Sequence, residues 1–373
     1  MYEAEFPLDD SITYLNHAAV SPWPQRTANA VKRFADENVA FGSQNYLHWV
    51  ATENTLKQQL QRLVNAESSD EIALLKNTSE ALSVVAYGLT WKQGDCVVIT
   101  DQEFPSNRVV WESLKKHGVT TRIATVTGME SPEAAIIETL DDSTRILSVS
   151  AVQYGTGLKL DLAVLGKACR ERGILFCIDA IQGIGAVDFD VQASHADFVM
   201  ADAHKWMMCP EGIALFYCRK AIMEQLDLKQ YGWHMLEDSS NYDSHEWEVA
   251  HSARRFECGS PNMTGVQALH ASMTLIEEVG MPLIEQLVLE NSRFMIDYFL
   301  QRSDRYQLIT PEPDKRHAGI ITVRPLNEST ESLFKMLASR HVMCALRGGG
   351  IRFSPHFYTP RKRLFSALEI LDS

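Results

Sequence analysis

Short apolar runs of strand length, closed by polar residues or glycine and separated by stretches of helical spacing, restrict what this chain can fold into. The runs lie at 72–75, 96–99, 121–126, 145–152, 174–178, 197–201 and 213–218. Between the first two, Leu82, Val85, Ala86 and Leu89 recur at helical spacing. Leu162, Leu165 and Cys169 form another stripe, which stops at Gly173, a residue suited to ending a helix. Alternation of this kind implies an α/β fold, with a mostly parallel sheet covered by helices on both faces.

The pattern changes at Gly259-Ser260-Pro261-Asn262. Residues 264–302 read as helical, with Leu269, Met273 and Ile276 on one face. A strand-like stretch at 319–324, a helix around 330–339 and strands at 341–346 and 350–354 follow. The expected organisation is a short arm (1–20), a large domain (21–262) and a smaller α+β C-terminal domain (263–373). A chain of 373 residues has room for both domains.

Charge and cysteine usage narrow the function classes. A formal net charge of −13 would repel nucleic-acid phosphates, so no nucleic-acid partner is expected. No apolar run is long enough to span a bilayer, and Met1–Glu5 lacks the features of a signal peptide. Seven scattered cysteines, with no Cys-x-x-Cys pair, read as mostly reduced thiols of a cytoplasmic protein. The twelve histidines show no metal-binding spacing.

The chemistry gathers where the strands end. The run at 174–178 is followed by Asp179, and the run at 197–201 leads into Ala203-His204-Lys205-Trp206. Parallel strands would present this acid and this lysine at one edge of the sheet, where open α/β sheets bind ligands. Such a pair suits pyridoxal phosphate: the lysine forms the Schiff base and the acid keeps the pyridine nitrogen protonated. Apolar neighbours (Met200, Ala201, Ala203, Trp206, Met207, Met208) would desolvate Lys205 and make its amine nucleophilic. Taken singly, each residue also has an ordinary reading. Lys205 could lie on the surface, Asp179 could cap a turn, and His204 could be a core histidine or a phosphate contact. Gln182 could reach the ring hydroxyl. Thr78-Ser79 opens a helix and could be a plain N-terminal cap or a phosphate site. Phe104 could stack on a planar cofactor or fill a core. Arg352, inside a strand-like run, could bind a carboxylate or form a structural ion pair. The aromatic-rich segment 228–255 reads as either an entrance lining or a surface loop.

Together these pieces resemble the class V aminotransferase branch of fold-type-I pyridoxal-phosphate enzymes, whose members include cysteine desulfurases, kynureninase and isopenicillin N epimerase. The resemblance covers nearly the whole chain in the family's order: Tyr14–Ala19, Thr78-Ser79-Glu80, Phe104, Gln153–Gly157, Asp179 and Gln182, His204-Lys205-Trp206 with Pro210-Glu211-Gly212, Phe256–Asn262, and Ile351–Tyr358. It implies Lys205 and Asp179 as catalytic residues. Thr78, Ser79, Phe104, Gln182 and His204 would join them in holding pyridoxal 5'-phosphate. Arg352 and His17 would meet an amino-acid substrate, and Ser260 would complete the phosphate site of the other subunit in a homodimer. A transferase activity is the leading expectation, with a C–S lyase or desulfurase-like enzyme and a non-catalytic homologue as alternatives. Phe104, where desulfurases usually carry histidine, and Cys344, too close to Arg352 to be their loop cysteine, argue against persulfide chemistry. Asp202, where many relatives place a phosphate-binding serine or threonine, is not assigned to the phosphate; with Val152, where desulfurases often carry asparagine, it moves the chain away from the desulfurases and toward the kynureninase-like and epimerase-like side.

Overall fold

The computed structural model describes residues 2–372. In chain order the strands are β1 (Thr13–Tyr14), β2 (Ile72–Leu75), β3 (Cys96–Thr100), β4 (Thr120–Ala124), β5 (Thr144–Ser150), β6 (Leu175–Asp179), β7 (Phe198–Asp202) and β8 (Ala214–Cys218). Then come β9 (Tyr306–Leu308), β10 (Ile321–Pro325), β11 (Val342–Met343), β12 (Ala345–Arg347) and β13 (Gly350–Phe353). Strands β2 to β8 form one sheet in the order β2-β8-β7-β6-β5-β3-β4. The pairs among β4, β3, β5, β6 and β7 are all parallel, and β8 runs against both of its neighbours. The expected mostly parallel sheet is therefore present.

Both faces of this sheet are covered, which is why its strands read as unbroken apolar runs. Val97 and Ile99 of β3 pack to one side with Ala81, Leu82 and Val85. Val98 packs to the other side, with Leu147, Val149 and Ile178. Helix α3 (Thr78–Gly88) opens at the site, and it is preceded in the chain by α1 (Gln25–Phe41) and α2 (Tyr46–Leu63). Helices α1 and α2 were not singled out from sequence. The helix Met263–Val279, assigned from sequence to the small domain, packs against both of them. Its Val266, Leu269, Met273 and Ile276 share a core with Leu56 and Leu60 of α2. The helix Met281–Leu300 shares both cores, Ile284 and Val288 in the first and Met295, Ile296 and Phe299 in the second, which belongs to the smaller unit.

That second core lies under a four-stranded antiparallel sheet, β12-β13-β10-β9. The arm joins it: β1 pairs in parallel with β11, and Ser354 N–H donates to Leu15 O at 2.8 Å. Segment 228–255 is mostly turns, with Tyr231, Tyr242 and Trp247 exposed. Among the described residues no helix is long and apolar enough to cross a membrane.

Candidate active site

Every parallel strand of the large sheet ends on the same edge, and the loops leaving that edge surround a cavity of about 390 Å³. Thr78 and Ser79 follow β2, Phe104 and Ser106 follow β3, and Ser150 and Tyr154 come from the end of β5. Asp179 closes β6, and Asp202, His204 and Lys205 come from the end of β7. The small unit contributes Arg347 and Arg352, and the arm contributes Ala18 and Ala19. Eight of the ten residues singled out from sequence meet here: Thr78, Ser79, Phe104, Asp179, Gln182, His204, Lys205 and Arg352.

Lys205 is presented by a tight turn. Met208 N–H donates to Lys205 O at 3.0 Å, and Met208 takes a left-handed φ of 55°. Trp206, fully buried, anchors this turn, and its indole N–H donates to Gln182 Oε1 at 2.9 Å. An indole nitrogen can only donate, so this bond fixes which end of the Gln182 amide carries the oxygen. The amide nitrogen then donates to Ala18 O at 3.0 Å, and its second hydrogen remains for the cavity. Burial lowers the Lys205 proton affinity, with Arg352 adding to the effect and Asp179 opposing it. Its Nζ lies 5.8 Å from the centre of the Phe104 ring.

Asp179 is buried at the sheet edge and accepts a hydrogen bond from Ile181 N–H at 3.1 Å. Burial raises its proton affinity, and the nearby Glu103 adds to the rise. Glu103 lies behind the cavity wall. Five donors converge on its carboxylate: Thr100 Oγ1, Asn107 Nδ2, Gln153 Nε2, and the N–H and hydroxyl of Ser150. Glu103 was not singled out from sequence, because its donors come from residues up to 50 positions away.

The phosphate end departs from expectation in detail. Asn77 caps α3 by accepting from Glu80 N–H at 2.8 Å. The Thr78 N–H donates to Asp202 Oδ1 at 3.2 Å, and the Thr78 hydroxyl accepts from Asp202 N–H at 3.2 Å. The Thr78 N–H is thus taken by a carboxylate while its hydroxyl proton stays uncommitted, and the Ser79 hydroxyl donates its proton to Ser106 Oγ at 2.8 Å. Burial pushes Asp202 up to about 6. His204, 3.8 Å from Asp202 through Nδ1, is pushed down to about 4 by burial and by Lys205.

Two residues lie apart from the cavity. His17 is fully buried behind the wall, with Nδ1 bonded to Ser354 O at 2.7 Å and Nε2 to Tyr358 OH at 2.8 Å. Both ring nitrogens are occupied, so it packs the rear of the site rather than touching a substrate. Its neighbours Ala18 and Ala19 take the lining positions. Ser260 is exposed on the surface, away from this chain's own cavity.

The residues fit pyridoxal phosphate. Bound here, the group would find a buried carboxylate to pair with its pyridinium in Asp179, a desolvated amine to condense with its aldehyde in Lys205, and the N-terminus of α3 for its phosphate. Arg352 has a buried Nε with no partner among the described residues, while its Nη1 donates to Tyr154 O at 2.9 Å. An unsatisfied guanidinium N–H of this kind suits a carboxylate ligand.

This edge, with its buried acid, desolvated lysine and helix end, defines a pyridoxal-phosphate enzyme of fold type I. The chain belongs to the class V aminotransferase family, whose model, "Aminotransferase class-V", matches residues 13–355. It is 31% identical over 288 residues to a probable cysteine desulfurase of Methanothermobacter thermautotrophicus, covering 76% of this chain and 71% of that one. A probable cysteine desulfurase of Pyrococcus abyssi is 28% identical over 394 residues, covering 99% and 95%. Among solved structures, a complex of the cystine C–S lyase C-DES with its product cysteine persulfide has the same fold. Its TM-score is 0.89 at 20% identity, covering 98% of each chain. The chain is therefore a pyridoxal-phosphate enzyme acting on an amino acid.

Proposed function

We propose that the enzyme cleaves a C–S bond of an L-α-amino acid by elimination at Cβ and releases the sulfur product directly into solution. The observation that supports direct release is the cavity wall, which includes no cysteine among the described residues. Cys344 is buried in the small-unit core, and burial pushes its thiol up to about 12, far from a reactive thiolate. The names of the relatives supply the C–S chemistry, and the cavity argues against a protein persulfide.

The bound cofactor supplies an electron-accepting ring beside the substrate Cα. Arg352 grips the α-carboxylate through its fork, held in place by β13 and by Tyr154 O. Lys205 holds the cofactor and, once its amine is free, takes the proton from Cα at Nζ. Burial keeps that amine available as a base. The same Nζ then hands a proton to the departing sulfur. The C–S bond breaks, the thiol leaves, and the released aminoacrylate takes up water to give pyruvate and ammonium. Asp179 places a buried negative charge against the ring nitrogen, and Gln182 offers its remaining N–H to the ring oxygen. In a homodimer, the exposed Ser260 would reach the neighbouring subunit's phosphate.

The test uses holoenzyme with L-cysteine and S-substituted cysteines. The expected products are thiol or sulfide, pyruvate and ammonium in equal amounts, with Cys344→Ala as active as the parent. Alanine together with a protein-bound persulfide would overturn the reading in favour of a desulfurase. Turnover that requires an added keto acid would replace it with transamination.

A further inference from the structure

We propose that Arg347 is a second anion-recognising residue of this cavity, and that the substrate is an α-amino acid whose side chain ends in a carboxylate or comparable anion. This deepens the reading of the site as one that acts on an amino acid. Two guanidiniums line the cavity, Arg347 and Arg352. Among the described residues neither is in an ion pair, although the protein pairs many of its other arginines. Arg26, Arg122 and Arg316, for example, lie within 2.7 Å of carboxylates. One α-carboxylate accounts for Arg352, which is buried and carries the unpartnered Nε. The anions already in the cavity do not account for Arg347: Asp179 lies at the pyridine position, and Asp202 is engaged by Thr78.

The two cations also act on each other. Burial first, and the neighbouring Arg347 second, push Arg352 down to about 10, and Arg347 likewise lowers the proton affinity of Lys205. A ligand with a single negative charge offsets only one of the two repelling cations. A ligand with two satisfies both.

Arg347 is exposed at the tip of a hairpin, but the backbone that carries it is held. It ends β12, opposite Gly350 of β13, and its Nη1 donates to Leu346 O at 2.8 Å. The turn that follows uses Gly348 and Gly349 at φ 61° and 75°, a left-handed region that favours glycine. Gly348 packs directly on the backbone of Gly155, leaving no room for a Cβ. From the other side, Arg324 Nε donates to Gly349 O at 2.9 Å. The turn is therefore pinned between the large unit and β10, and Arg347 is aimed by both.

S-(carboxymethyl)-L-cysteine and its neutral isostere S-(carbamoylmethyl)-L-cysteine differ only in the distal charge. Arg347 is exposed, so the holoenzyme should favour the charged one in kcat/KM by about two- to fivefold, the value of an ion pair that stays open to water. Calorimetric dissociation constants for L-glutamate and L-glutamine should show the same ordering without any C–S cleavage. Arg347→Gln should collapse both ratios, Arg347→Lys should restore part of them, and Arg352→Gln should weaken all four ligands alike. Equal preference for the charged and neutral members in the parent enzyme would overturn the proposal. So would an Arg347→Gln variant that loses both members of each pair equally, since Arg347 would then share the α-carboxylate. If neither thioether is cleaved but glutamate still outbinds glutamine, the lyase reading fails and the second anion site stands. Cleavage of both thioethers without preference upholds the lyase reading and overturns the second anion site.

Discussion

Replacing Glu103 by glutamine keeps the side-chain shape but turns one acceptor oxygen into a donor, in a place where five donors converge. If the new amide nitrogen faces Asn107, two donors collide. Asn107 cannot turn over, because its Oδ1 already accepts from Trp111 Nε1 and Ser148 Oγ. If it faces Gln153 instead, that amide can reverse, since Gln153 Oε1 is buried and has no partner among the described residues. The second arrangement should win. Even so, the Ser150 N–H, the Ser150 hydroxyl and Asn107 Nδ2 each exchange a charged acceptor for a neutral one. At about 1 kcal/mol each, the loss comes to about 3 kcal/mol. Urea unfolding of cofactor-free protein, followed by amide circular dichroism, measures it. A loss below about 1 kcal/mol would refute the argument that an anion organises this wall.

Two further outcomes follow from the site. Because burial lowers the Lys205 proton affinity, uptake of pyridoxal phosphate by the cofactor-free protein should rise with pH and level off below the ordinary lysine pKa of about 10.4. A stopped-flow rate that keeps climbing through that value would show an exposed, unperturbed amine. Asp202→Ser removes the carboxylate that occupies the Thr78 N–H, and it also removes a negative charge from the phosphate end. The cofactor should then bind more tightly, by about tenfold, as read from its dissociation constant; weaker retention would mean that Asp202 supports the site.

Lys205, Asp179 and Gln182 were legible in the sequence because each sits one turn or less beyond a strand, and strand ends define the edge. Arg352 was legible because a charge inside an apolar run demands a partner. What escaped depends on distances that no local pattern carries. The grip of Asp202 on Thr78 spans 124 positions. The role of Arg347 depends on the register of a hairpin and on a glycine contact with the other unit. His17 lies beside two true lining residues, and residue type alone could not show that its ring turns toward Ser354 and Tyr358. The helix Met263–Val279 has the right period, but a period does not reveal which core receives it, and its buried face meets α1 and α2.

The arm carries a consequence for how the molecule is made. Leu15 and Ser354 are joined by a backbone hydrogen bond, and Thr13 and Tyr14 pair with Val342 and Met343. Residues 13–15 thus find their partners only once residues 342–354 have been synthesised. Ala18 and Ala19, part of the cavity wall, are fixed by the same attachment. A ribosome-bound chain can finish the large sheet and expose Lys205, yet it cannot present a closed pocket until the strands that hold the arm emerge. Closure of the wall is thereby deferred until residues 342–354 join the fold, and removing either segment opens the same wall.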